Sequence, residues 1–307
     1  MKPDLTISIV IITYNRPADM LDLVKNIAWL EEAEQLESII IVNNRSTESY
    51  EALEVFIKTN PHLPFRYYVA PENLGVSRGR NDALQKSSAD ILVFLDDDAL
   101  FANNDALKQI KSIFSEDTIN ERELGIASFK VYYYDTGELQ QTAFPHKQFE
   151  KRKHLHHFDT AYFVGCAHAI RRTVFDHTGL YPDNFFYGME EYDLSYRTLN
   201  AGFSIAYDDR VVIRHKESPA GRLPNREKLR GMWVNKSKVA WKYLPGRYFF
   251  STALLWSFEY LKKSGWDFSG WVKGWRKVVR IPREERRARV DSACMRYLRR
   301  VQARLWY

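Results

Sequence analysis

The segment ILVFLDDDAL, Ile91–Leu100, places five apolar residues directly before three aspartates. In an extended chain, residues two apart point to the same face, so the side chains of Asp96 and Asp98 lie together. Carboxylates this close repel one another, and a divalent cation bound by oxygen ligands would relieve that repulsion. An acidic turn exposed to water is the alternative interpretation, and the rest of the chain decides between the two.

Three further apolar runs precede this segment, and helix-like stretches separate them. The runs ISIVIITY, SIIIVNN and FRYYVA predict strands, and Pro17 predicts the start of a helix that extends to about Leu30. Ser46 or Thr47 is a predicted N-cap for the next helix. Alternating strands and helices indicate a parallel, doubly wound sheet, in which ligands bind beyond the carboxyl ends of the strands. Three of those ends are polar: TYNR, VNNRS and DDD.

Beyond Leu100 the alternation is less regular. ASFKVYYY, TAYFVGCAHAI and SIAYDDRVVIRH are typical of strands, and the last ends at His215. EEYDLSYRTLNAG predicts a helix of about three turns that Gly202 terminates. From Lys216 onward, aromatic and basic residues recur at helical spacing, which predicts a helical C-terminal region.

Charge is distributed unevenly along the 307 residues. The formal net charge is +6, but residues 1–214 carry −10, residues 215–261 carry +6 and residues 262–307 carry +10. Two cysteines, Cys166 and Cys294, are too few for a disulfide framework and suit a reducing compartment. The N-terminal run is interpreted as a first strand, and no apolar stretch reaches the roughly 20 residues that span a bilayer. We therefore expect a cytoplasmic protein.

Seven motifs occur in the order and spacing of inverting glycosyltransferase family 2, which the chain resembles over about residues 6–215. They are SIVIITYNRP, IIIVNNRST, NLGVSRGRNDAL, VFLDDDAL, GCAHAIRRTVF, GMEEYDLSYRTLNAGF and VVIRH. The resemblance implies an α/β fold of the GT-A type, a Rossmann-like and mostly parallel sheet flanked by helices, here with a C-terminal helical extension. It also implies a nucleotide-sugar donor, a divalent metal (Mn²⁺ or Mg²⁺) and inversion at the anomeric carbon in one step. It divides the chain into a nucleotide-sugar-binding half (residues 1–100), an acceptor and catalytic half (101–215) and a helical region (216–307).

The resemblance assigns a metal site and a donor site. Asp98 is the expected metal ligand, with Asp96 and His215 as further ligands, although a histidine at a strand end is often only a structural hydrogen-bonding residue. The family commonly has Val-Asp-Asn where this chain has Val42-Asn43-Asn44, so a UDP-sugar is favoured but the base stays open. A loop with Lys216 or Arg222 is a candidate cover for the diphosphate. The residues expected around the donor are Thr13, Tyr14, Asn15, Arg16, Asn43, Arg80, Asp96 and Asp97.

The EEYD tetrad is the expected catalytic centre. The resemblance implies that Glu191 is the general base, and on a helix Glu191 lies about 100° round from Glu190. Asp193 has Arg197 four residues on, so these acids also fit a salt-bridged helix face. Phe186, Tyr187 and Glu190 are weaker candidates for acceptor contacts, since an aromatic cluster is as often part of a core.

The basic C-terminal stretch has two interpretations. Arginines mixed with Trp266, Trp271 and Trp275 are typical of helices on an anionic membrane surface, here through residues 262–307 on the inner face of the plasma membrane. The same tryptophans could instead pack on the rest of the protein. No nucleic-acid-binding motif is present, so nucleic acid is not an expected partner.

The sequence thus predicts a bacterial, metal-dependent glycosyltransferase. It would transfer a sugar from a nucleotide diphosphate to a hydroxyl of a glycan or lipid-linked glycan, in the synthesis of a surface polysaccharide. Two alternatives remain. A nucleotidyltransferase would need a basic, glycine-rich loop after the first strand, which TYNRP is not. A catalytically silent protein that only binds carbohydrate or serves as a scaffold would keep the fold without turnover.

Overall fold

A computed structural model describes residues 5–116, 122–218, 220 and 225–306. Nine strands within these residues form one sheet, and six of the nine run in the same direction. Along the sheet the order is β3-β2-β1-β4-β8-β6-β9-β5, and β7 pairs with β9. The strands are β1 (Ile7–Thr13), β2 (Ser38–Asn43), β3 (Phe65–Val69), β4 (Ile91–Asp96), β5 (Ala99–Phe101), β6 (Leu124–Tyr133), β7 (His157–Asp159), β8 (Ala167–Arg171) and β9 (Ser204–His215).

Helices cover both faces of the sheet. One core packs α1, α2 and α4 against one face, and a second core packs α3, α6, α7 and parts of the C-terminal helices against the other. This two-layered burial explains the continuous apolar runs of β1, β2 and β4. The described helices are α1 (Pro17–Ala28), α2 (Glu51–Thr59), α3 (Gly75–Leu84), α4 (Ala106–Ser115), α5 (Phe149–Arg152), α6 (Arg172–Thr178), α7 (Glu190–Asn200), α8 (Asn225–Tyr243), α9 (Gly246–Ser264), α10 (Phe268–Val278), α11 (Ile281–Glu284) and α12 (Ser292–Arg300).

The predicted α/β fold with a helical C-terminal extension is confirmed. Strands β1 to β4 are mutually parallel in the order 3-2-1-4, and β8 next to β4 is antiparallel. Gly202 has a φ of +95° just beyond α7, which is the backbone conformation that a glycine adopts most readily at a helix end.

Two predicted boundaries are wrong. Helix α2 begins at Glu51, and neither Ser46 nor Thr47 caps it. Both residues instead bind the turn after β1, because Ser46 Oγ accepts from the Asn15 N–H at 2.9 Å and the Thr47 N–H donates to Asn15 Oδ1 at 2.8 Å. The predicted strand TAYFVGCAHAI is shortened to β8, and just before it the Gly165 carbonyl accepts a hydrogen bond from the Arg80 side chain.

Much of the basic C-terminal stretch packs on the rest of the protein. Tyr297 and Leu298 of α12 are buried in the second core beside α7. Trp271 and Trp275 pack against the fully buried Trp233, whereas Trp266 is 65% exposed. The packing interpretation is therefore confirmed for two of the three tryptophans. In the parts of the chain that the structure describes, no helix has the length and apolar character needed to cross a membrane.

Candidate active site

The carboxyl ends of the strands form one wall of a cleft of about 470 Å³. β1, β2, β4 and β9 run in the same direction, so the residues that end them lie along one edge of the sheet. The antiparallel pairing of Ala99 with His215 brings the end of β9 beside the aspartates. Residues predicted for the site that line this cleft are Thr13, Tyr14, Arg16, Arg80, Asp96, Asp97, Asp98, Phe186, Tyr187 and His215.

Asp96, Asp98 and His215 form a group that could bind a metal. One ligand atom from each lies within 4.8 Å of the other two. His215 Nε2 lies 3.2 Å from Asp98 Oδ1, and its Nδ1 lies 3.1 Å from Oε1 of the buried Gln140. A hydrogen bond from Nδ1–H to Gln140 orients the ring so that Nε2 faces the aspartates. Gln140 was not identified from the sequence, because it lies in a loop 75 residues from His215.

The chemistry of this group fits a divalent cation. Two carboxylates and one imidazole suit Mn²⁺, and carboxylate oxygens also suit Mg²⁺. Although burial lowers the pKa of His215, its hydrogen bond with Asp98 and nearby negative charge raise it to about 11. Asp98 thus favours the protonated form of His215, and a cation bound at Asp98 would compete with that proton.

Asp97 lies on the other side of the strand end from this group. Burial raises its pKa to about 7, although Arg16 and Thr13 both oppose that shift. Thr13 Oγ1 donates to Asp97 Oδ2 at 2.7 Å, and Arg16 Nη1 lies 2.8 Å from Asp97 Oδ1 and 3.1 Å from Asp98 Oδ2. Arg16 thus supplies a positive charge within the aspartate cluster.

Arg16 also binds the segment that follows β9. Its Nη2 donates to the Ser218 carbonyl at 2.8 Å and its Nε donates to the Ala220 carbonyl at 2.7 Å. Lys216 points away from the aspartates, because its ammonium pairs with Asp19 and Asp22 of α1 at 3.0 and 2.7 Å. The suggestion that Lys216 covers the diphosphate is therefore wrong, and Arg222 lies outside the described residues.

The predicted base-binding side chains are less accessible than expected. Asn43 Nδ2 donates to the Tyr67 hydroxyl at 2.8 Å, and its Oδ1 accepts from the Ser46 N–H at 2.8 Å. Asn15 Oδ1 accepts from the Thr47 N–H, so both amides bind the chain itself. Tyr14, which was predicted for the donor site, lines the cleft instead. The buried Asn44 also lines it, although the sequence did not single out that residue.

One buried arginine links the aspartates to α7. Arg80 Nη2 lies 3.5 Å from Asp96 Oδ1, and its Nη1 lies 3.2 Å from Glu190 Oε1 and 3.7 Å from Glu191 Oε1. A Cβ atom added to Gly165 would clash with Glu191 Oε1, so a side chain at residue 165 would displace that carboxylate from its observed position. Glu191 thus lies close to the metal-binding group, across Arg80.

The three acids at the start of α7 have different environments. Burial, and then the Glu191 charge, raise the pKa of Glu190 well above its usual range. Asp193 accepts hydrogen bonds from Arg197 at 2.8 Å, from Lys242 at 2.6 Å and from Tyr243 at 2.9 Å. Asp193 therefore links α7 to α8. Its pair with Arg197 is the one that the sequence predicted, whereas the contacts with Lys242 and Tyr243 were not predicted.

The aromatic segment before α7 borders the cleft. Phe186 is 48% exposed, and its carbonyl accepts from the Val76 N–H at 3.0 Å. Gly75 has a φ of +71°, and a Cβ atom there would lie 2.6 Å from the Phe186 carbonyl oxygen. A neighbouring cavity of about 440 Å³ shares Phe186, Tyr187 and Lys228 with the cleft. These residues are therefore accessible from two sides.

Known proteins resemble this chain in sequence and in fold. The O-antigen chain rhamnosyltransferase WbaN of Salmonella anatum is 23% identical over 202 residues, which cover 62% of this chain and 60% of WbaN. Among solved structures, GalNAc-T7 with UDP, GalNAc and Mn²⁺ has a TM-score of 0.64 at 17% identity, covering 82% of this chain and 51% of that one. The mannosyltransferase PcManGT of Pyrobaculum calidifontis, in complex with GDP-Man and Mn²⁺, has a TM-score of 0.60 at 16% identity, covering 91% and 76%.

The structural likenesses have low sequence identity, so they establish the fold alone. Family membership rests on the sequence itself. The family described as Glycosyl transferase family 2 matches residues 8–179, which include Thr13, Asn43 and the three aspartates at the end of β4. The chain belongs to glycosyl transferase family 2.

Proposed function

We propose that this protein is a metal-dependent, inverting glycosyltransferase. It transfers a sugar from a nucleotide-diphosphate donor to a hydroxyl of a glycan or lipid-linked glycan during the synthesis of a bacterial surface polysaccharide. The observation that carries the proposal is the placement of Glu191 across Arg80 from Asp96, Asp98 and His215. A cation-binding group and a nearby carboxylate that can take a proton are what a one-step displacement needs.

The metal-binding group would act on the donor. Asp96, Asp98 and His215 would bind the cation, which when bound would neutralise the charge that develops on the leaving diphosphate. Arg16 and Arg80 add two permanent positive charges beside the same cleft. We favour a UDP-sugar, while GalNAc-T7 binds UDP and PcManGT binds GDP-Man, so related folds accept either base.

Glu191 would act on the acceptor. A hydroxyl is a poor nucleophile at neutral pH, and a carboxylate that takes its proton makes it a better one. Of the two adjacent carboxylates, Glu190 is 3% exposed and lies against Arg80, whereas Glu191 is 16% exposed and is the more accessible base. Phe186 and Tyr187, at the mouth of the cleft, offer ring faces to a sugar.

A peripheral membrane contact is part of the proposal, but its place differs from the sequence prediction. Phe250, Leu254 and Phe258 of α9 recur every four residues and are 69%, 49% and 57% exposed. Lys262 continues the same spacing, and residues 215–307 are strongly basic. An apolar helix face with basic residues at its end suits an anionic bilayer surface.

Nucleotide binding tests the proposal. Manganese with UDP or GDP should raise the thermal midpoint of the wild type, because a ligand that binds only the folded state stabilises it. Asp98→Asn should abolish the manganese-dependent part of that shift, whereas the control Asp135→Asn, at an exposed turn position, should not change it. An unchanged shift for Asp98→Asn, or donor hydrolysis at the wild-type rate in excess chelator, would contradict the metal site. Nucleotide binding without sugar transfer would favour the catalytically silent alternative.

A further inference from the structure

A second, smaller cavity lies beside the start of α7. Its volume is about 180 Å³, enough for several water molecules at roughly 30 Å³ each. Side chains from α7, α8, α9 and the C-terminal segment line it, and it shares no lining residue with the donor cleft. Its lining residues are Tyr192, Leu229, Met232, Lys236, Trp256, Glu259, Tyr260, Lys263 and Arg304.

Lys236 is the unusual member of this set. It is only 6% exposed, and its ammonium lies 3.1 Å from the centre of the Tyr192 ring. Among the residues that the structure describes, no carboxylate forms an ion pair or hydrogen bond with it. Burial, and then the charge of Arg304, lower the pKa of Lys236 well below its usual range. Burial therefore disfavours the protonated form of Lys236, and an anion entering the cavity would favour that form by pairing with it.

The other charges leave the cavity positive. Glu259 is the carboxylate in the lining, and its Oε2 lies 3.4 Å from Lys263 Nζ. Arg304 is exposed and, within the described part of the chain, has no carboxylate partner. Lys236 and Arg304 are thus the two basic residues of the lining that form no ion pair with a described carboxylate. Aromatic rings from α7 and α9, together with the apolar Leu229 and Met232 of α8, complete the lining.

The position of the cavity relates it to the reaction. Tyr192 directly follows Glu191, and the Tyr192 ring also stacks on Tyr162 at 4.7 Å between ring centres. The residue whose ring contacts Lys236 is therefore the immediate chain neighbour of the carboxylate that we propose as the general base. The donor diphosphate belongs in the separate cleft with the aspartates, so the acceptor is the substrate that could place a charge here.

We propose that the Lys236 cavity binds an anionic group of the acceptor, either a phosphate or a carboxylate. This inference rests on the proposed function for its place in the reaction, but the anion site itself can be measured independently. Lys236 and Arg304 provide the charge, and Tyr192 positions Lys236. Binding there would orient the acceptor so that its hydroxyl reaches Glu191.

Calorimetric titration in the presence of chelator tests the site. Inorganic phosphate, pyrophosphate and acetate serve as probes, so that the comparison separates a phosphate site from a carboxylate site. Lys236→Met keeps the length of the side chain and should weaken binding of the preferred anion by about tenfold or more, the effect of losing one charge-assisted hydrogen bond. Arg304→Gln should weaken it as well. The matched control is Lys238→Met, on the same helix, because Lys238 already pairs with Glu285 at 3.2 Å.

Each outcome is decisive. If the wild type binds none of the three anions, or if Lys236→Met and Arg304→Gln bind them like the wild type, the site does not exist. If Lys236→Met does not fold, the Arg304→Gln variant, which alters an exposed residue, tests the site instead. Manganese-dependent UDP or GDP binding should be the same in all variants. If the wild type shows no manganese-dependent UDP or GDP binding, the proposed function is contradicted, but the anion site is not affected by that result.

Discussion

Arg80 Nη1 lies 3.2 Å from Glu190 Oε1, and the two side chains are only 5% and 3% exposed. The other end of the same guanidinium reaches Asp96 at the end of β4 and the Gly165 carbonyl. One buried cation therefore positions an acid on the donor side of the cleft and an acid at the start of α7. The spacing between the metal-binding group and Glu191 depends on it.

Removing this cation should destabilise the protein strongly. Arg80→Met leaves Glu190 buried without its partner, and breaking a buried pair from one side typically costs about 3–5 kcal/mol of unfolding free energy. The matched control is Arg78→Met on the same helix, where Arg78 and Glu72 are 44% and 62% exposed. An exposed pair contributes about 1 kcal/mol or less. Urea unfolding of both variants measures the difference.

The double variant Arg80→Met/Glu190→Leu separates the pair from simple packing. With both charges removed, the free energy of unfolding should recover most of the loss, since no carboxylate remains unpaired. A double variant as unstable as Arg80→Met alone would show that the arginine acts through its packing or its bond to Gly165.

His146 should make stability depend on pH. Burial lowers its pKa to about 4, from an ordinary value of 6.5. Its Nε2–H donates to the Val301 carbonyl at 3.1 Å, and its Nδ1 accepts from the Gln148 N–H at 3.1 Å, so the neutral ring is required. Between pH 6.5 and 4 the unfolded chain binds the proton more readily, so stability falls as pH falls, by about 2 kcal/mol at pH 5.

Thermal midpoints measured from pH 7 to pH 5 test this expectation. His146→Gln keeps a donor and an acceptor but does not titrate, so its midpoint should fall less than that of the wild type over the same range. Equal slopes for the two proteins would mean that His146 is not the group responsible.

The exposed face of α9 should determine binding to anionic vesicles. Phe250→Ser and Phe258→Ser each remove an exposed aromatic side chain without disturbing the core, and together they should reduce sedimentation with such vesicles. Val55→Ser, which alters a 53% exposed residue of α2 in the acidic part of the chain, is the control. Substitution is a better test than truncation near Leu261, because truncation would remove the buried Tyr297 and Leu298 of α12. Unchanged sedimentation of the double variant would exclude this face as the membrane contact.

Local sequence patterns predicted the sheet well. The β-branched runs before Thr13 and Asn43, and the apolar run before Asp96, each read as a buried strand because parallel strands are covered on both faces. The polar residues at their ends then had to lie along one edge. That much follows from the periodicity of the chain and from the rule that parallel strands align their carboxyl ends.

Contacts between distant segments could not be predicted in the same way. Gln140 orients His215 from 75 residues away, and Gly165 makes room for Glu191, yet neither residue has a local pattern that reveals its role. Asn43 was singled out for base recognition because of its motif, but its amide binds Tyr67 and Ser46. Such assignments depend on the tertiary packing of loops, which short motifs do not encode.

The most direct test of the account is the activity of Glu191→Gln. A positioned carboxylate that takes a proton typically contributes about 10²–10⁴-fold, so this variant should lose transfer by about that factor. Its manganese-dependent nucleotide affinity should change little, because the amide keeps the shape of the side chain. Asp193→Asn, which alters hydrogen bonds to Arg197 and Tyr243, should act mainly on the thermal midpoint. Wild-type transfer by Glu191→Gln, together with a folded but inactive Asp193→Asn or Glu190→Gln, would contradict the assignment of Glu191 as the general base.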